Sequence, residues 1–268
     1  MAGGNWASPY ARTWARFATQ GETTEIDLTD SSAIHSVKLQ LPFAAIGPRT
    51  VELRVRTQIS PAAERLGLLA KRTLDVVGAL VILMLATPIM IPVAIAIKAT
   101  SPGPVFYRHE RVGRHGERFK VWKFRSMRSD ISTEDIADQI ALDEFKTSSP
   151  VYKSPNDPRV TPVGRIIRRT GLDELPQLFN VIGSSMSLVG PRPLVDEEIA
   201  ELSVEAFKHR NSVAPGVTGL WQVFRKSETS FEERMRLDLT YVGCRSFWLD
   251  LYLMVMTPLA LVKGERSF

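Results

Sequence analysis

The chain has little cysteine and lacks an apolar leader. Cys244 is the single cysteine in 268 residues, which excludes an intramolecular disulfide and a cysteine-rich zinc site. Residues 1–20 contain neither the apolar core nor the cleavage pattern of a secretory signal, so we expect no such signal. A reducing, cytoplasmic setting fits both absences.

Acidic side chains are outnumbered by basic ones. The sequence has 34 Lys and Arg against 29 Asp and Glu, a formal net charge of +5 and a pI of about 9.4. A basic balance indicates an anionic partner, such as nucleic acid, anionic lipid headgroups or a phosphorylated substrate. A solvated surface with a small excess of Lys and Arg is the alternative that composition leaves open.

Residues 1–62 show no recognisable chemistry. Their first half has the mixed composition of a tail, and two strand-like segments follow over residues 37–59. Residues 51–59 alternate apolar and polar side chains, which places one face on a core. Gly47–Pro48 supplies the turn between the segments. We therefore predict a tail and a small strand-rich accessory segment over residues 1–62.

The apolar run over residues 76–97 is long enough for a membrane helix. A buried helix of a soluble protein is the alternative, and the length of the uncharged run argues against it. Thr87 and Pro88 lie near its middle, and a proline inside a helix removes a backbone hydrogen bond and kinks the helix.

Basic residues flank both ends of this run: Lys71, Arg72, Lys98, Arg108 and Arg111. Cytoplasmic flanks carry the excess of Lys and Arg, so two basic flanks place both ends on the cytoplasmic side. We predict a re-entrant membrane helix within residues 63–100 that breaks at Thr87 and Pro88 and returns.

Residues 101–268 are predicted to form one catalytic domain. Strands are expected over Val105–Tyr107 and Phe119–Phe124, joined around Gly113–Gly116. The remaining segments are a helix or lid over residues 131–146, a loop over 154–158, and helices over 164–169, 172–182, 195–209, 230–239 and 247–262. The last helix fits either a core or a membrane interface. The predicted fold class is α+β, mainly helical, with a small β-hairpin.

Two adjacent carboxylates, Asp173 and Glu174, precede an apolar helical face. Pro176 is acceptable in the first turn of a helix, which places both carboxylates at the helix N-terminus. The helix dipole favours negative charge there, so either acid can remain ionised and act as a nucleophile or metal ligand. Ordinary acidic capping of a helix is the alternative interpretation.

Arginines accompany the carboxylate pair. Arg165, Arg168 and Arg169 are three and four residues apart and are predicted to form one basic face. Arg192 lies between two prolines that fix φ on both sides, so its guanidinium sits on a stiff backbone. This combination suits a diphosphate bound beside a nucleophile, with a divalent ion bridging acid and phosphate oxygens.

The strand pair adds three further cations, Lys120, Lys123 and Arg125. Each of them, taken alone, is typical of a surface residue. Lys123 and Arg125 are nevertheless candidates for phosphate binding, together with Arg168 and Arg192, because of the positive charge that they add.

Five motifs together resemble the bacterial sugar transferases known as monotopic phosphoglycosyl transferases, in the order of that family. They are Lys71–Arg72 with the apolar run and its central Thr-Pro, Val121–Met127, Leu172–Gln177, Gly190–Pro193 and Pro215–Val223. The resemblance extends over residues 66–262. Phe224–Ser227 departs from the Gly-Arg pair that many relatives carry there, which bears on loop geometry and sugar choice.

The resemblance implies a catalytic domain on the cytoplasmic face of the bacterial inner membrane. It also implies that Asp173 attacks the β-phosphate of a UDP-sugar, that UMP leaves, and that undecaprenyl phosphate then takes the sugar-phosphate from the aspartyl intermediate. Glu174 would assist with Mg²⁺ or with proton handling, and both acids are candidate magnesium ligands. Arg168 and Arg192 match the phosphate-binding arginines of the family.

Two other functional classes make different predictions. A nucleic-acid-binding protein needs basic patches interleaved with exposed aromatic residues and no membrane run, so we expect no nucleic acid partner. A non-catalytic membrane scaffold of a glycan-assembly complex would not need the carboxylate pair or Arg192, and the sequence has both. The expected partners are a UDP-sugar, undecaprenyl phosphate and inner-membrane lipids. Glucose and galactose are the favoured sugars, and a homodimer is among the open oligomeric states.

Overall fold

The computed structural model describes residues 35–41, 49–55, 61–128, 157–224 and 230–262. Its contacts divide the chain into two units, Met1–Leu66 and Gly67–Phe268. The division into residues 1–62, 63–100 and 101–268 stays a prediction.

The first unit contains a two-stranded antiparallel sheet. Strand β1 is His35–Leu41 and strand β2 is Arg49–Val55, with His35 opposite Val55. The two strand-like segments are thereby confirmed. The tail and the Gly47–Pro48 turn lie outside the described residues.

The apolar run lies in a single long helix, α1, which extends over Pro61–Thr100 and continues through Pro88 and Pro92. Thr87 Oγ1 donates a 2.6 Å hydrogen bond to the Leu83 carbonyl one turn earlier, just before Pro88 interrupts the sequence of N–H donors. By length and composition the Arg65–Thr100 portion is apolar enough to cross a membrane.

Helix α1 has one buried and one exposed apolar face. Ala79, Ala86, Met90 and Ile97 are buried, and their spacing of seven, four and seven residues keeps them on one side of the helix. The exposed apolar residues on the other side are Val77, Leu80, Val81, Met84, Leu85, Ile89, Ile91 and Ile95. The buried stripe belongs to the hydrophobic core of the second unit, Gly67–Phe268, which contains the predicted catalytic domain and is hereafter called the catalytic unit.

A β-hairpin follows α1 and confirms the predicted strand pair. Strand β3, Phe106–Val112, pairs antiparallel with β4, Arg118–Phe124, and a 3₁₀ turn over Arg114–Gly116 joins them. Tyr107 lies opposite Lys123. Since side chains alternate along a strand, Tyr107, His109 and Arg111 share one face of β3.

The remaining elements are mostly short helices. They are α2 (Pro162–Thr170), a 3₁₀ turn (Leu172–Glu174), α3 (Gln177–Ile182), β5 (Ser187–Val189), α4 (Asp196–Ala200), α5 (Val204–Arg210), β6 (Gly216–Thr218), α6 (Leu220–Phe224), α7 (Phe231–Cys244) and α8 (Phe247–Val262). Strands β5 and β6 pair in parallel. The mainly helical α+β class is confirmed.

Two of these helices refine the sequence predictions. The helix predicted over residues 195–209 is split into α4 and α5, because Ser203 caps a new helix by accepting a hydrogen bond from the Ala206 N–H at 3.2 Å. In α8 one face is buried around Leu253, whereas Trp248 and Val255 are exposed. Both alternatives for α8, core and interface, are therefore compatible with its two faces.

The main core joins α1 to the catalytic elements. Ala79 of α1, Val121 of β4, Val181 of α3, Leu188 of β5 and Leu253 of α8 are all nearly inaccessible to solvent and belong to one cluster. A second cluster combines the later part of α1 with Phe124 and Ile167. The predicted lid over residues 131–146 and most of the 154–158 loop lie outside the described residues.

Candidate active site

The two acids occupy a 3₁₀ turn of their own. The turn Leu172–Glu174 begins after Gly171, whose φ of 72° ends α2 in the left-handed conformation that glycine favours. Helix α3 starts only at Gln177, after Pro176. The prediction of one helix over residues 172–182 is therefore wrong. Pro176 has no N–H with which to continue a helical ladder from the preceding residues.

Arg168 is the member of its predicted basic face that turns towards the acids. It is half-buried, and its Nε donates a 2.8 Å hydrogen bond to Ser126 Oγ, whereas Arg165 and Arg169 are exposed. Burial lowers the pKa of Arg168, and the opposing effect of Asp173 on this pKa places that carboxylate in its electrostatic range.

A glycine brings Arg168 to Ser126. A Cβ atom added at Gly164 would lie 1.9 Å from the Ser126 carbonyl oxygen, so no larger residue fits between α2 and the chain after β4 without displacing one of them. Thr161 caps α2 by accepting a hydrogen bond from the Gly164 N–H at 2.8 Å. The first turn of α2 is thus fixed where it touches Ser126.

Lys123 reaches the second acid from the hairpin. Its Nζ lies 3.0 Å from Glu174 Oε1, and both side chains are about one-fifth exposed. Strand β4 thereby joins the hairpin to the acidic turn. Lys123 thus balances the charge of Glu174.

Arg192 lies in a tightly held segment after β5. The Gly190 N–H donates to the Thr218 carbonyl at 2.9 Å, and the Gly216 N–H donates to the Pro191 carbonyl at 2.8 Å. The Arg192 carbonyl accepts a hydrogen bond from Arg210 Nη2. The main chain on both sides of the guanidinium is therefore fixed by hydrogen bonds as well as by proline.

Arg210 itself is anchored by a buried ion pair. Its Nε donates a 3.0 Å hydrogen bond to Asp238 Oδ2, and both residues are at most 2% exposed. Burial raises the pKa of Asp238, and the Arg210 guanidinium opposes that rise. The pair connects α5 and α7 to the backbone of Arg192.

Sequence reasoning missed three residues of the site, Arg111, Glu198 and Arg234. Arg111 Nη1 lies 4.0 Å from Glu198 Oε2, and Arg234 Nη1 lies 3.7 Å from Glu198 Oε1. Arg111 was predicted only as a flank of the membrane helix. Its alternation with Tyr107 along β3 could have placed it on the Lys123 face, but no local pattern identifies Glu198 or Arg234.

Burial and neighbouring charge act together on Arg111. Burial lowers the pKa of Arg111 to about 10, and Arg192 acts in the same direction. Glu198 and Glu174 oppose the shift. Arg111 therefore interacts electrostatically with both Arg192 and Glu174, so the three residues belong to one charged site.

Arg125 has a different environment from the other candidate phosphate ligands. Its guanidinium donates to the Ser101 carbonyl at 2.8 Å and to the Pro102 carbonyl, and the residue is buried. It therefore fastens the chain that leaves α1 to β4. Its role in phosphate binding stays a prediction.

The basic residues before the apolar run also contact the catalytic unit. Arg72 donates to the Val181 and Ile182 carbonyls at 2.7 and 2.8 Å, where α3 ends. Lys71 Nζ lies 2.9 Å from Asp250 Oδ2 and 2.6 Å from Ser187 Oγ. Both charges are engaged by the protein.

The candidate metal ligands among the described residues are the two carboxylates of the Leu172–Glu174 turn. No group of three or more His, Cys, Asp or Glu that could hold a metal occurs in the part of the chain that the structure describes. Mg²⁺ commonly binds through one or two carboxylates together with substrate phosphates. Asp173 and Glu174 fit an ion that arrives with a phosphorylated substrate.

Comparisons with known proteins match most of the chain. A family model described as bacterial sugar transferase matches residues 66–264. The undecaprenyl-phosphate galactose phosphotransferase of Salmonella typhimurium is 39% identical over 220 residues, which cover 81% of this chain and 44% of that protein. The exopolysaccharide production protein ExoY of Rhizobium meliloti is 38% identical over 209 residues, which cover 77% of this chain and 92% of that protein.

A third relative is similar to this chain at a comparable level of identity. The UDP-glucose:undecaprenyl-phosphate glucose-1-phosphate transferase of Escherichia coli is 40% identical over 197 residues, or 70% of this chain and 39% of that protein. The chain thus spans less than half the length of the Salmonella and Escherichia relatives. The span that the family model matches contains the acidic turn and all the arginines of the site, and the chain belongs to the bacterial sugar transferase family.

Proposed function

We propose that this chain transfers a sugar 1-phosphate from a UDP-sugar to undecaprenyl phosphate and releases UMP. The observation that carries the proposal is a pair of adjacent carboxylates beside half-buried cations, with Arg168 next to Asp173 and Lys123 next to Glu174. The printed names of the Salmonella and Escherichia relatives assign them transfer to undecaprenyl phosphate. In this proposal the reaction initiates the assembly of an exopolysaccharide, O-antigen or capsule-type glycan.

The first step is an attack by a carboxylate oxygen of Asp173 on the β-phosphorus of the UDP-sugar. A bond forms between that oxygen and phosphorus, and the bond to the bridging oxygen breaks with its electron pair on UMP. Arg168 lies where it can balance the charge of the phosphoryl group during this transfer. Such electrostatic stabilisation supplies most of the catalysis in phosphoryl transfer.

The second step returns the enzyme to its starting state. A phosphate oxygen of undecaprenyl phosphate attacks the same phosphorus, and the acyl phosphate bond breaks with its electron pair on the Asp173 carboxylate. The product is an undecaprenyl diphospho-sugar. A covalent intermediate divides one difficult substitution into two easier ones, and the held backbone around Arg192 keeps that guanidinium in place for both.

Lys123 and Glu174 prepare the site for the diphosphate. The 3.0 Å ion pair fixes the Glu174 carboxylate beside Asp173, and the two acids would hold Mg²⁺. When bound, the ion would neutralise charge on the phosphates. Arg192, Lys123 and Arg125 complete the proposed phosphate ligands, and Arg125 also ties the end of β4 to the chain after α1.

The membrane part of the proposal is a re-entrant α1 on the cytoplasmic side of the inner membrane. Arg72 binds the end of α3 before the apolar run, and Arg125, which directly follows β4, binds the Ser101 carbonyl after the run. A helix that crossed the bilayer would place these two contacts on opposite sides. Both contacts involve the same catalytic unit, which supports a helix that returns to the side it entered, with a change of direction at Thr87 and Pro88.

The test is UMP release by the purified chain with undecaprenyl phosphate, Mg²⁺ and a panel of UDP-sugars. We expect release with one sugar, glucose or galactose first among the panel. Asp173→Asn should lower the rate on the order of 10³-fold or more, because a group that forms the covalent bond is lost.

A matched control is Asp196→Asn, which removes an exposed carboxylate that is paired with Arg118 on the surface. It should leave release unchanged. Release that survives Asp173→Asn removes Asp173 as the nucleophile. Release with no sugar of the panel contradicts the transferase proposal and favours the non-catalytic scaffold.

A further inference from the structure

Three partly buried arginines of the site have guanidinium N–H donors that form no hydrogen bond with the described residues. They are Arg111 of β3, Arg192 after β5 and Arg234 of α7, hereafter the arginine trio. Within the described residues none of the three guanidinium groups donates a hydrogen bond, and the Arg234 Nε is itself buried without a partner. A guanidinium has five N–H donors, and leaving such donors unsatisfied away from water is costly.

Glu198 balances the charge of Arg111 and Arg234 without accepting a hydrogen bond from either guanidinium group. Its carboxylate oxygens lie 4.0 Å from Arg111 and 3.7 Å from Arg234, which is beyond hydrogen-bond distance. The side chain is 8% exposed, and its Oε2 accepts a 3.2 Å hydrogen bond from the Val195 N–H. Glu198 is therefore a fixed counter-ion that keeps two guanidinium groups close together.

Trp221 holds the third member near Arg234. The Cζ atoms of Arg192 and Arg234 lie 5.8 and 5.6 Å from the centroid of the Trp221 ring. Trp221 is buried, so the cation–π contacts hold both guanidinium groups close to the same ring. This arrangement orients cations while it leaves their N–H edges available.

The local charges do not cancel. Three guanidinium groups and one carboxylate leave a surplus of two positive charges, since 3 − 1 = 2. The nearest other carboxylates are engaged, because Glu174 pairs with Lys123 and Asp238 pairs with Arg210. A phosphate monoester carries about −1.5 to −2 at pH 7 and offers three acceptor oxygens, which matches both the charge and the unused donors.

We propose that Arg111, Arg192 and Arg234 form a second phosphate-binding subsite that shares Arg192 with the proposed diphosphate ligands and has Glu198 as its positioning residue. The subsite takes a phosphate ester, either the phosphate of the departing UMP or the headgroup of the lipid acceptor. The assignment of these two sources rests on the proposed function. The new elements are Arg111, Arg234 and Glu198, which arrive from three distant parts of the chain.

The experiment measures binding instead of turnover. UMP and undecaprenyl phosphate are titrated separately in detergent into the 268-residue chain and into its Arg234→Gln and Arg111→Gln variants. We expect each variant to weaken binding of one of the two compounds roughly 10- to 100-fold, because a charge-assisted hydrogen bond is lost. Loss confined to UMP identifies the nucleotide phosphate, and loss confined to the lipid identifies the acceptor headgroup.

Two controls separate the subsite from general effects. Arg118→Gln removes an exposed arginine that already binds Glu110 and Asp196, and it should leave both affinities unchanged. If the glutamine variants do not fold, Arg234→Lys and Arg111→Lys replace them, because they keep the charge. They should weaken binding of the same compound, by less than the roughly 10- to 100-fold expected for glutamine. Unchanged affinity for both compounds in folded variants overturns the subsite.

The outcome is independent of the transferase proposal. A chain that releases no UMP from any UDP-sugar, yet binds UMP through Arg234, retains the subsite and loses the reaction. If the chain releases UMP, but folded variants of Arg111 and Arg234 bind both compounds as tightly as the parent chain, the reaction is retained and the subsite is refuted.

Discussion

Arginine serves different purposes in two regions of this molecule. Where α1 joins the catalytic unit, Arg72 and Arg125 each donate to two main-chain carbonyls. In the site, Arg111, Arg192 and Arg234 are also withdrawn from solvent, yet in the described part of the chain they donate to nothing. Arg125 is buried and the other four are partly buried, so the clear difference between the two regions is the use of the N–H donors.

This difference distinguishes arginines that stabilise the fold from arginines that can bind a ligand. A guanidinium whose donors meet carbonyl oxygens stabilises the fold and has few donors left for a ligand. A guanidinium held by a ring face and a distant carboxylate keeps its planar fork for a phosphate. The hydrogen-bond partners of an arginine therefore indicate its task better than its charge or depth.

The largest expected contrast is between Arg210→Met and Arg234→Met. Arg210→Met leaves Asp238 buried and unpaired, so we expect a loss of about 3–5 kcal/mol in the free energy of unfolding. Arg234→Met removes only long-range and ring contacts, and it should cost less than about 1 kcal/mol. Urea unfolding of both variants in the same detergent measures the difference. Equal losses would erase the distinction between the two kinds of arginine.

An intermediate effect is expected at Gly164, where α2 touches Ser126. Gly164→Ala puts a methyl group 1.9 Å from the Ser126 carbonyl oxygen, which we expect to cost about 3 kcal/mol of stability and to slow UMP release. Displacement of α2 would break the hydrogen bond between Arg168 and Ser126. Gly243→Ala, in α7 with no atom within 4 Å of the added Cβ, is the control and should not be destabilised. A stable and fully active Gly164→Ala would show that Arg168 does not depend on this contact.

The smallest effect concerns His109, which shares a strand face with Arg111. Burial lowers the pKa of His109, and Arg111 and Lys123 lower it further. Since the folded pKa lies below the ordinary value of 6.5, this group costs stability as the pH falls below about 6.5. Bound UMP adds negative charge, so its addition should raise the pKa of His109 if the trio holds the nucleotide.

Proton titration by NMR with and without UMP tests this shift. His209 is the internal control, because its pKa is lowered by burial and by Arg245, not by the arginine trio. A rise at His209 equal to that at His109 would indicate a general effect of ionic strength. An unchanged His109 would exclude UMP from the neighbourhood of Arg111.

Patterns that are local in sequence predicted much of the fold. The hairpin, the long apolar helix, α2 and the adjacent acids each follow from periodicity or from neighbouring residues. The sequence did not predict that the helix would be interrupted after Glu174. Pro176 was assigned to the first turn of a helix that included Asp173 and Glu174, whereas α3 begins at Gln177. The split at Ser203 was missed because apolar periodicity continued across the cap.

The site was only partly accessible from the sequence. Asp173 and Arg168 lie within one short segment, so their proximity could be anticipated. The trio depends on Glu198 and Trp221, which meet Arg111 only through tertiary packing of β3 with α4, α6 and α7. The lysine and arginine before the apolar run were interpreted as flanking charges, whereas the fold uses them as contacts to β5, α3 and α8.

The contact between Lys71 and Asp250 has a consequence for biosynthesis. These residues are separated by 179 positions, since 250 − 71 = 179. During synthesis α1 leaves the ribosome before α8, so Lys71 at first has Asp75 of its own helix, 3.3 Å away in the folded chain, as its carboxylate partner. The ion pair with Asp250, and with it this contact between α1 and α8, can form only after residue 250 has been made.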